Sequence, residues 1–365
     1  YIGKHTGDWG KKKIRIVFAL IFFIWFGMCK PAYAAEIEID AADVWEKYGL
    51  EEAARNLDNL LPDYELDMKE IWGHVLHGEI GTAIGMLWEG VKGKILSEMA
   101  GMKNIFASVL ILGIISALFA NFSDVFQNHQ IADISFYFLY LLLMSVLMKA
   151  FLAAADIAGE TVGNIVLFIK MFIPAYFMAV GAARGAVTGA VYYQFTLVLA
   201  YGVEKILLSF LIPLVYSYVL LALMNGIWAE ERLTLLLDFI KKAIITALKV
   251  IMGMITGLSM VQAVIVPVVD RLKISAFRRA VSAIPGVGGV AEGITELVIG
   301  SAVLIKNSLG ILLLVLILAV CLLPLVRIVA VAGLVKLGAA LTGIMSDKRI
   351  SGCADRVGEG CFLLF

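Results

Sequence analysis

The stretch SLGILLLVLILAVCLLPLV, residues 308–326, decides the fold class, because its 19 consecutive residues carry no charge. A helix of about 20 apolar residues spans the hydrocarbon core of a bilayer, which is roughly 30 Å thick. The next segment, 328–345, follows Arg327 and is apolar apart from Lys336. Both segments therefore predict membrane-spanning helices.

The composition extends this prediction to the whole chain of 365 residues. Hydrophobic residues make up 61% of the chain and charged residues 16%, and the mean hydropathy is +0.92. Ordinary globular domains contain only about 45–50% apolar residues. We therefore expect an all-α fold, that of a polytopic helical membrane protein.

The N-terminal segment, residues 1–34, has the order of features that is typical of a cleavable signal peptide. Basic residues at 11–13 precede a short apolar run at 14–28, and the small-residue pattern Ala-Tyr-Ala follows at 32–34. The alternative is that the apolar run remains as an anchor helix, although about 15 residues are few for a span. With the signal removed, the mature chain begins outside the cytoplasm.

Residues 35–103 form an acidic segment of helical character, which we expect to be extracytoplasmic. Twelve acidic and three basic residues lie between 36 and 70, which makes a nucleic-acid partner electrostatically unfavourable. Farther along, apolar residues recur mostly three or four positions apart, as on an amphipathic helix: Trp72, Leu76, Ile80, Ile84, Leu87, Val91, Ile95 and Met99. Such a stripe packs on a neighbouring helix, a membrane surface or a partner, and its glycines predict breaks.

Residues 104–365 are predicted to form a polytopic transmembrane domain with about seven crossings. The five that precede the two described above lie at 104–122, 134–155, 162–183, 186–227 and 243–266, with Asp156 and Glu160 in the loop between the second and third. The fourth is ambiguous, because Glu204 and Lys205 divide it and Pro213 is able to bend it. A single crossing leaves the basic residues at 271–279 in the cytoplasm, where Lys and Arg are enriched, so we expect one net crossing.

Three charged residues lie away from the ends of the predicted spans and are candidates for an intramembrane polar path: Lys170, Glu204 and Lys205. A charge at the centre of a bilayer costs at least about 2.5 kcal/mol, so it needs water or a partner. The alternatives to a path are a side chain that reaches the membrane interface and a local ion pair between helices.

Glycines at four-residue spacing are candidates for helix packing or assembly. They are Gly181, Gly185 and Gly189, and farther along Gly253 and Gly257. Small residues allow the backbones of two helices to approach closely in lipid, where no hydrophobic effect drives their association. Contacts between subunits and contacts within the chain both fit this pattern.

Motifs for catalysis or metal binding are scarce. His74 and His77, near Glu70 and Glu79, lack the His-Glu-x-x-His pattern of a zinc site, and their spacing also fits one solvated helix face. The sequence contains no Gly-x-Ser-x-Gly motif of a serine hydrolase. We therefore expect no catalytic residue, no metal and no cofactor, and a protein that is not an enzyme.

A block near the C-terminus points to a family. Residues 277–311 read FRRAVSAIPGVGGVAEGITELVIGSAVLIKNSLGI. Together with the export signal, the acidic segment and the polytopic body, this block resembles the stage III sporulation protein AE family of endospore-forming bacteria. The chain stops in the apolar run 361–365, where the family carries a further membrane segment, so we expect a truncated C-terminus.

The resemblance implies a multi-pass protein of the mother-cell membrane around the forespore. It implies a subunit of the channel or feeding complex that joins the two cells and is required for endospore development. The implied partners are other stage III sporulation operon proteins and, across the intermembrane space, the forespore stage II sporulation protein Q. The alternative that the residues leave open is a small-solute permease in its own right.

Overall fold

The computed structural model describes residues 41–60, 67–101, 107, 111, 129–227, 233–282, 288–345 and 348–365. Regular structure in this part of the chain is helical, without strands, which confirms the all-α prediction. The helices are α1 (Ala41–Lys47), α2 (Leu50–Leu60), α3 (Met68–Leu76), α4 (Ile80–Gly101), α5 (His129–Arg184), α6 (Ala186–Ile206), α7 (Ile212–Asn225), α8 (Thr234–Ser282), α9 (Gly288–Met345) and α10 (Lys348–Leu364). The predicted signal at 1–34 and nearly all of the predicted span at 104–122 lie outside the described residues.

The apolar stripe of the acidic segment is divided between two helices. Asp67 caps α3, where its Oδ1 accepts from the backbone N–H groups of Lys69 at 3.0 Å and Glu70 at 3.1 Å. The break before α4 contains Gly78, whose φ of +82° favours glycine. Trp72 is fully buried, and α3 and α4 pack on each other and on α9. Among the described side chains of the stripe, Trp72 and Leu87 are buried whereas Ile84 is exposed, so the stripe packs against neighbouring helices only in part.

Two helices are much longer than a membrane span. The 56 residues of α5 contain both predicted spans at 134–155 and 162–183, and the 58 residues of α9 contain those at 308–326 and 328–345. At 1.5 Å per residue each helix is roughly 80 Å long, more than twice the thickness of a hydrocarbon core. The expected loop at Asp156 and Glu160 is absent, because both residues are exposed positions inside α5.

Four segments of the described residues are long and apolar enough to cross a membrane: Tyr140–Ala183, Gly189–Asn225, Thr234–Met260 and Gly300–Leu341. The sequence prediction placed six crossings in the same part of the chain, since it interpreted charged residues as the ends of spans. A helix satisfies its own backbone hydrogen bonds on both sides of an isolated charged side chain, so such a residue does not end it. The four segments indicate a membrane protein.

The ambiguous region at 186–227 is one continuous helical run without a reversal of direction. Between α6 and α7, Leu207–Leu211 form a π-helical turn, closed by a hydrogen bond from the N–H of Ile212 to the carbonyl oxygen of Leu207. Pro213 follows directly, and its ring would clash with a carbonyl oxygen four residues earlier in a regular α-helix. The wider turn relieves this clash and keeps the run unbroken.

Small residues bring α5 and α9 together in the main core. Ala150, Ala154 and Ala155 of α5 and Ala332 and Ala339 of α9 belong to one buried cluster, and each is at most 3% exposed. Alanine side chains allow two helices to approach closely. The last helix, α10, folds back along α9 and also contacts α5 and α7.

Tyr140 is the central polar side chain of this core. Its hydroxyl group donates a hydrogen bond to the backbone carbonyl of Leu223 and lies 3.2 Å from Sγ of Cys353. A Cβ atom at Gly226 would clash with the same hydroxyl group. Tyr140 therefore joins α5 to the end of α7 and to α10.

A cluster of charged and polar groups attaches α10 to three other helices. Glu359 of α10 accepts hydrogen bonds from Nζ of Lys241 in α8 at 2.7 Å and from the hydroxyl group of Tyr218 in α7 at 3.1 Å. Lys336 of α9 lies 4.0 Å from Glu359 and donates to Asp355 at 2.9 Å. The carboxylate of Glu359 is therefore the shared acceptor at this junction.

Burial raises the pKa of the Glu359 carboxyl group, but its neighbours outweigh burial. The hydrogen bond and charge of Lys241, the charge of Lys336 and the hydroxyl group of Tyr218 hold this pKa below its usual value of 4.5. A depressed folded-state pKa stabilises the folded state above the unfolded-state pKa, and this stabilisation is lost as the pH falls through the folded-state value.

We predict that Glu359→Gln lowers the stability of the purified protein by about 1.5–3 kcal/mol at neutral pH, because it removes a charged acceptor from two donors. Asp355→Asn is the matched control and should have a smaller effect, since Asp355 is more exposed and accepts a hydrogen bond from one lysine, Lys336. Thermal melting in neutral detergent measures both, and the Glu359→Gln difference should shrink as the pH falls below the usual carboxyl pKa. Equal effects of the two substitutions would contradict this account.

Candidate functional site

The predicted glycine motif at 181–189 forms the turn of a helical hairpin between α5 and α6. Gly185 lies between the two helices with a φ of +120°, a conformation that L side chains rarely adopt. Its N–H donates to the carbonyl of Gly181 at 2.8 Å, and its own carbonyl accepts from the N–H of Gly189 at 3.1 Å. The chain therefore reverses within a single residue.

Close backbone contact holds the two arms of this hairpin together. A Cβ atom at Gly189 would lie 2.9 Å from the carbonyl oxygen of Phe177 and 3.1 Å from Cα of Gly181. Gly189 is buried. The structure thus brings Gly181 and Gly189 together inside the chain, and a role of this motif in assembly stays a prediction.

An aromatic cluster lies directly beside the hairpin turn. Phe177 of α5 stacks on Tyr192 of α6 with ring centroids 6.1 Å apart, and it meets Tyr193 edge to face at the same distance. Tyr176 contacts Phe177 edge to face at 5.3 Å. The two arms are therefore joined by rings as well as by backbone.

Two cavities adjoin this cluster and share Phe177 as a wall. One, of about 570 Å³, is apolar in its surroundings and is bordered by Pro174, Gly181 and Gly189. The other, of about 360 Å³, lies among α5, α6 and α9, and Lys306 is one of the residues that line it. The hairpin thus presents both an apolar groove and a cavity with one charged residue.

The predicted polar path is not assembled into one cluster. Nζ of Lys170 lies 4.5 Å from the ring centroid of Tyr201, a cation–π contact between α5 and α6. Lys205 is exposed. Among the residues that the structure describes, Lys170 forms no ion pair with Glu204.

Glu204 has an unusual environment for a carboxylate. Its Oε2 atom is buried and has no hydrogen-bond partner within the described part of the chain. The residue lies one turn before the π-helical segment Leu207–Leu211, and π-helical turns frequently occur at functional sites. A buried acceptor without a donor is costly, so this position is a candidate for a bound cation or water.

The second pair of predicted packing glycines lies on an open face. Gly253 and Gly257 are exposed on α8, and no described atom lies within 4 Å of a Cβ atom built at either position. Unlike Gly181 and Gly189, this pair has no partner helix among the described residues. No described helix of the chain therefore covers these two glycines.

The two histidines of the acidic segment make local contacts. Nδ1 of His74 lies 2.6 Å from Oε2 of Glu79, and Nδ1 of His77 donates to the carbonyl oxygen of Gly73 at 2.7 Å. Within the described ranges, no group of three His, Cys, Asp or Glu residues is placed to hold a metal ion. The alternative expectation was one solvated helix face; in the structure His74 lies in the last turn of α3 and His77 is the residue that follows its end.

The comparison with known families decides the identity. The family model of stage III sporulation protein AE matches residues 66–365. The chain belongs to this family. It is also similar to stage III sporulation protein AE of Bacillus subtilis (strain 168), with 22% identity over 158 residues, which cover 43% of this chain and 40% of that protein. No solved structure matches the chain.

For this member of the stage III sporulation protein AE family, sequence reasoning missed several residues that the structure brings together. Tyr201 contacts Lys170 of the preceding helix, and Lys306 lines a cavity with residues of helices that are distant in sequence. Single residues of these types carry no motif. Glu359 lies just before the apolar run 361–365, from which a truncated C-terminus was expected, and Gly358 and Gly360 flank it. Those glycines were an available signal, because a Cβ at Gly358 would lie 2.6 Å from Cγ of Lys336.

We predict that Gly189→Ala destabilises the purified protein by about 1–3 kcal/mol, because the new methyl group would overlap backbone atoms that cannot rotate away. Gly202→Ala is the matched control on the same helix, since a Cβ atom there meets nothing within 4 Å. Thermal melting in detergent should show a lower midpoint for the first variant and an unchanged or higher one for the second. A tolerated Gly189→Ala would contradict the close approach of the two arms.

Proposed function

We propose that this protein is a membrane subunit of the channel or feeding complex between mother cell and forespore, and that it acts through assembly with other sporulation proteins. In this proposal it lies in the mother-cell membrane around the forespore and has no enzymatic activity. Its partners are other proteins of the stage III operon and, across the intermembrane space, stage II sporulation protein Q. Family membership supports the link to sporulation, and the exposed apolar surface of α8 supports assembly.

The observation that carries the assembly proposal is the poor internal packing of α8. Only 11% of its apolar window is buried inside the chain, against 33 to 44% for the other three candidate spans. Large side chains such as Phe239 and Met252 are exposed along it. Gly253 and Gly257 lie four residues apart on the same helix, at the spacing of one helical turn. Because small residues let a second helix approach closely, α8 suits a contact between membrane subunits.

We predict that the double variant Gly253→Leu and Gly257→Leu reduces copurification of the other stage III operon proteins about tenfold. Two leucine side chains would hold a partner helix away, and a loss of about 1.4 kcal/mol corresponds to a factor of ten. The measurement is affinity purification of tagged protein from membranes of sporulating cells. Gly202→Leu on α6 is the control, because that glycine is also open and exposed.

The fold of the double variant is checked by its melting midpoint, which should match that of the unmodified protein since nothing lies within 4 Å of either position. Unchanged copurification by a correctly folded double variant would reject α8 as the contact surface. Equal losses in the Gly202→Leu control would show that bulk alone, at any open position, disturbs assembly.

A second candidate function, a small-solute permease, is supported by one observation at Glu204. A buried carboxylate oxygen without a donor next to a π-helical turn is an arrangement that suits transient binding of a cation or proton. Lys170 contributes a charge on the neighbouring arm, although the ring of Tyr201 covers it.

If the protein is a permease, purified protein in vesicles should carry solute flux without any partner. That flux should be lost in Lys170→Ala and in Glu204→Gln and retained in Lys249→Gln, a substitution at an exposed position of α8. Measurement of pH-dependent cation or proton uptake by the vesicles tests this. Absence of flux in the unmodified protein, or flux that is insensitive to both substitutions, removes the permease as an alternative.

A further inference from the structure

The apolar groove of about 570 Å³ beside the hairpin turn lies between α5 and α6. The described residues that line it belong to two of the candidate spans, Tyr140–Ala183 and Gly189–Asn225. Sites for small molecules commonly have volumes of about 300–1,000 Å³ and mostly apolar walls. The groove therefore has the size and the surroundings of a site for a lipid-soluble small molecule.

Small residues keep this groove open. Its lining includes four residues with at most one methyl group in the side chain: Gly181, Ala182, Gly189 and Ala190. Larger apolar surface comes from Pro174, Phe177 and Met178. The side chain of Met178 is exposed, and a methionine adapts its shape to different apolar partners. The walls therefore suit an apolar body without fixing its exact outline.

The groove contains one hydrogen-bonding side chain and no charge among the described residues that line it. That side chain is Tyr193, whose ring meets Phe177 edge to face. Its hydroxyl group has no hydrogen-bond partner in the part of the chain that the structure describes. In apolar surroundings a hydroxyl group is stabilised when it donates to an acceptor, whereas an ion loses its hydration there. The groove therefore favours a neutral molecule that carries an acceptor.

We propose that this groove binds a neutral, lipid-soluble molecule with a carbonyl oxygen. The carbonyl oxygen accepts a hydrogen bond from the hydroxyl group of Tyr193, and the apolar body of the molecule lies against Pro174, Phe177 and Met178.

Two other occupants of an apolar groove fit this chemistry less well. The hydrocarbon part of an acyl chain offers no acceptor. A helix of a partner protein uses its backbone carbonyls in its own hydrogen bonds. Either occupant would leave the hydroxyl group of Tyr193 without an acceptor. The site is separate from the α8 face and from Glu204, and it does not depend on either proposed function.

The test uses the full chain in a neutral detergent, with radiolabelled benzophenone as the probe. Benzophenone joins an apolar body to one carbonyl group, which bonds covalently to nearby C–H groups on illumination. Adducts are expected within residues 174–182 or 189–193. Diphenylmethane has the same two rings without the carbonyl group, and it should compete about fivefold more weakly than unlabelled benzophenone, as the loss of one hydrogen bond predicts. The charged analogue benzoylbenzoate should not compete.

Two substitutions separate the hydroxyl group from the shape of the groove. Tyr193→Phe keeps the ring, so the two neutral competitors should become equal in this variant. Tyr201→Phe is the matched control and should keep the fivefold difference, since Tyr201 is exposed on α6 and lies outside the groove. Ala190→Leu should reduce labelling because its larger side chain extends into the groove, whereas Gly202→Leu, at an open position of α6, should not.

Adducts confined to other segments would reject the site. Equal competition by benzophenone and diphenylmethane in the unmodified protein would overturn the proposal, as would a fivefold difference that persists in Tyr193→Phe. Competition by benzoylbenzoate as strong as that by benzophenone would contradict a neutral ligand. Should Tyr193→Phe not fold, the positions of the adducts and the ranking of the three competitors on the unmodified protein decide the question.

Discussion

The close packing of α9 along α5 is the contact on which the rest of the described structure depends. Both helices are apolar over most of their surface, and in lipid the hydrophobic effect does not hold such helices together. Alanines at 150, 154, 155, 332 and 339 let the backbones approach, so that dispersion contacts accumulate along the interface. The helix α6 then packs on α5, and α3, α4 and α10 pack on α9. Each of these helices therefore uses the α5–α9 pair as its support.

Two polar contacts in this architecture lie where three or more helices meet. Tyr140 connects α5, α7 and α10, and Glu359 connects α7, α8, α9 and α10. In an apolar setting such groups are stabilised only when each finds a partner, so they fix the relative positions of helices whose apolar surfaces alone would allow many registers. Glu204 departs from this rule, because one of its oxygens lacks a donor among the described residues, and this is why it stands out as a candidate for function.

The sequence predicted the helical fold and the membrane character, because these follow from local composition and periodicity. Of the breaks expected at the glycines of the acidic segment, the structure has one at Gly78, whereas α4 continues through Gly81, Gly85 and Gly93. It divided α5 and α9 in two, since Asp156 and Arg327 look like span ends although a helix continues through them. The glycines at 181 and 189 were recognised as a close-contact motif, but the sequence does not state which backbone they approach. The contacts of Lys306 and Glu359 were beyond sequence reasoning, because each depends on helices that are far apart along the chain. The contact of Tyr201 with Lys170 depends on the pairing of α5 and α6 across the turn at Gly185.

The tight reversal at Gly185 also bears on how the molecule is made. Residues 177–193 contain every atom of the close contact between the two arms, so this hairpin is complete as soon as the ribosome has synthesised it and can enter the bilayer as a pair. The helix that carries Lys306 follows about a hundred residues later, which at typical synthesis speeds is a delay of roughly 5–20 seconds. In the folded chain α9 lies beside this aromatic cluster, since Lys306 and Gly310 adjoin Tyr176.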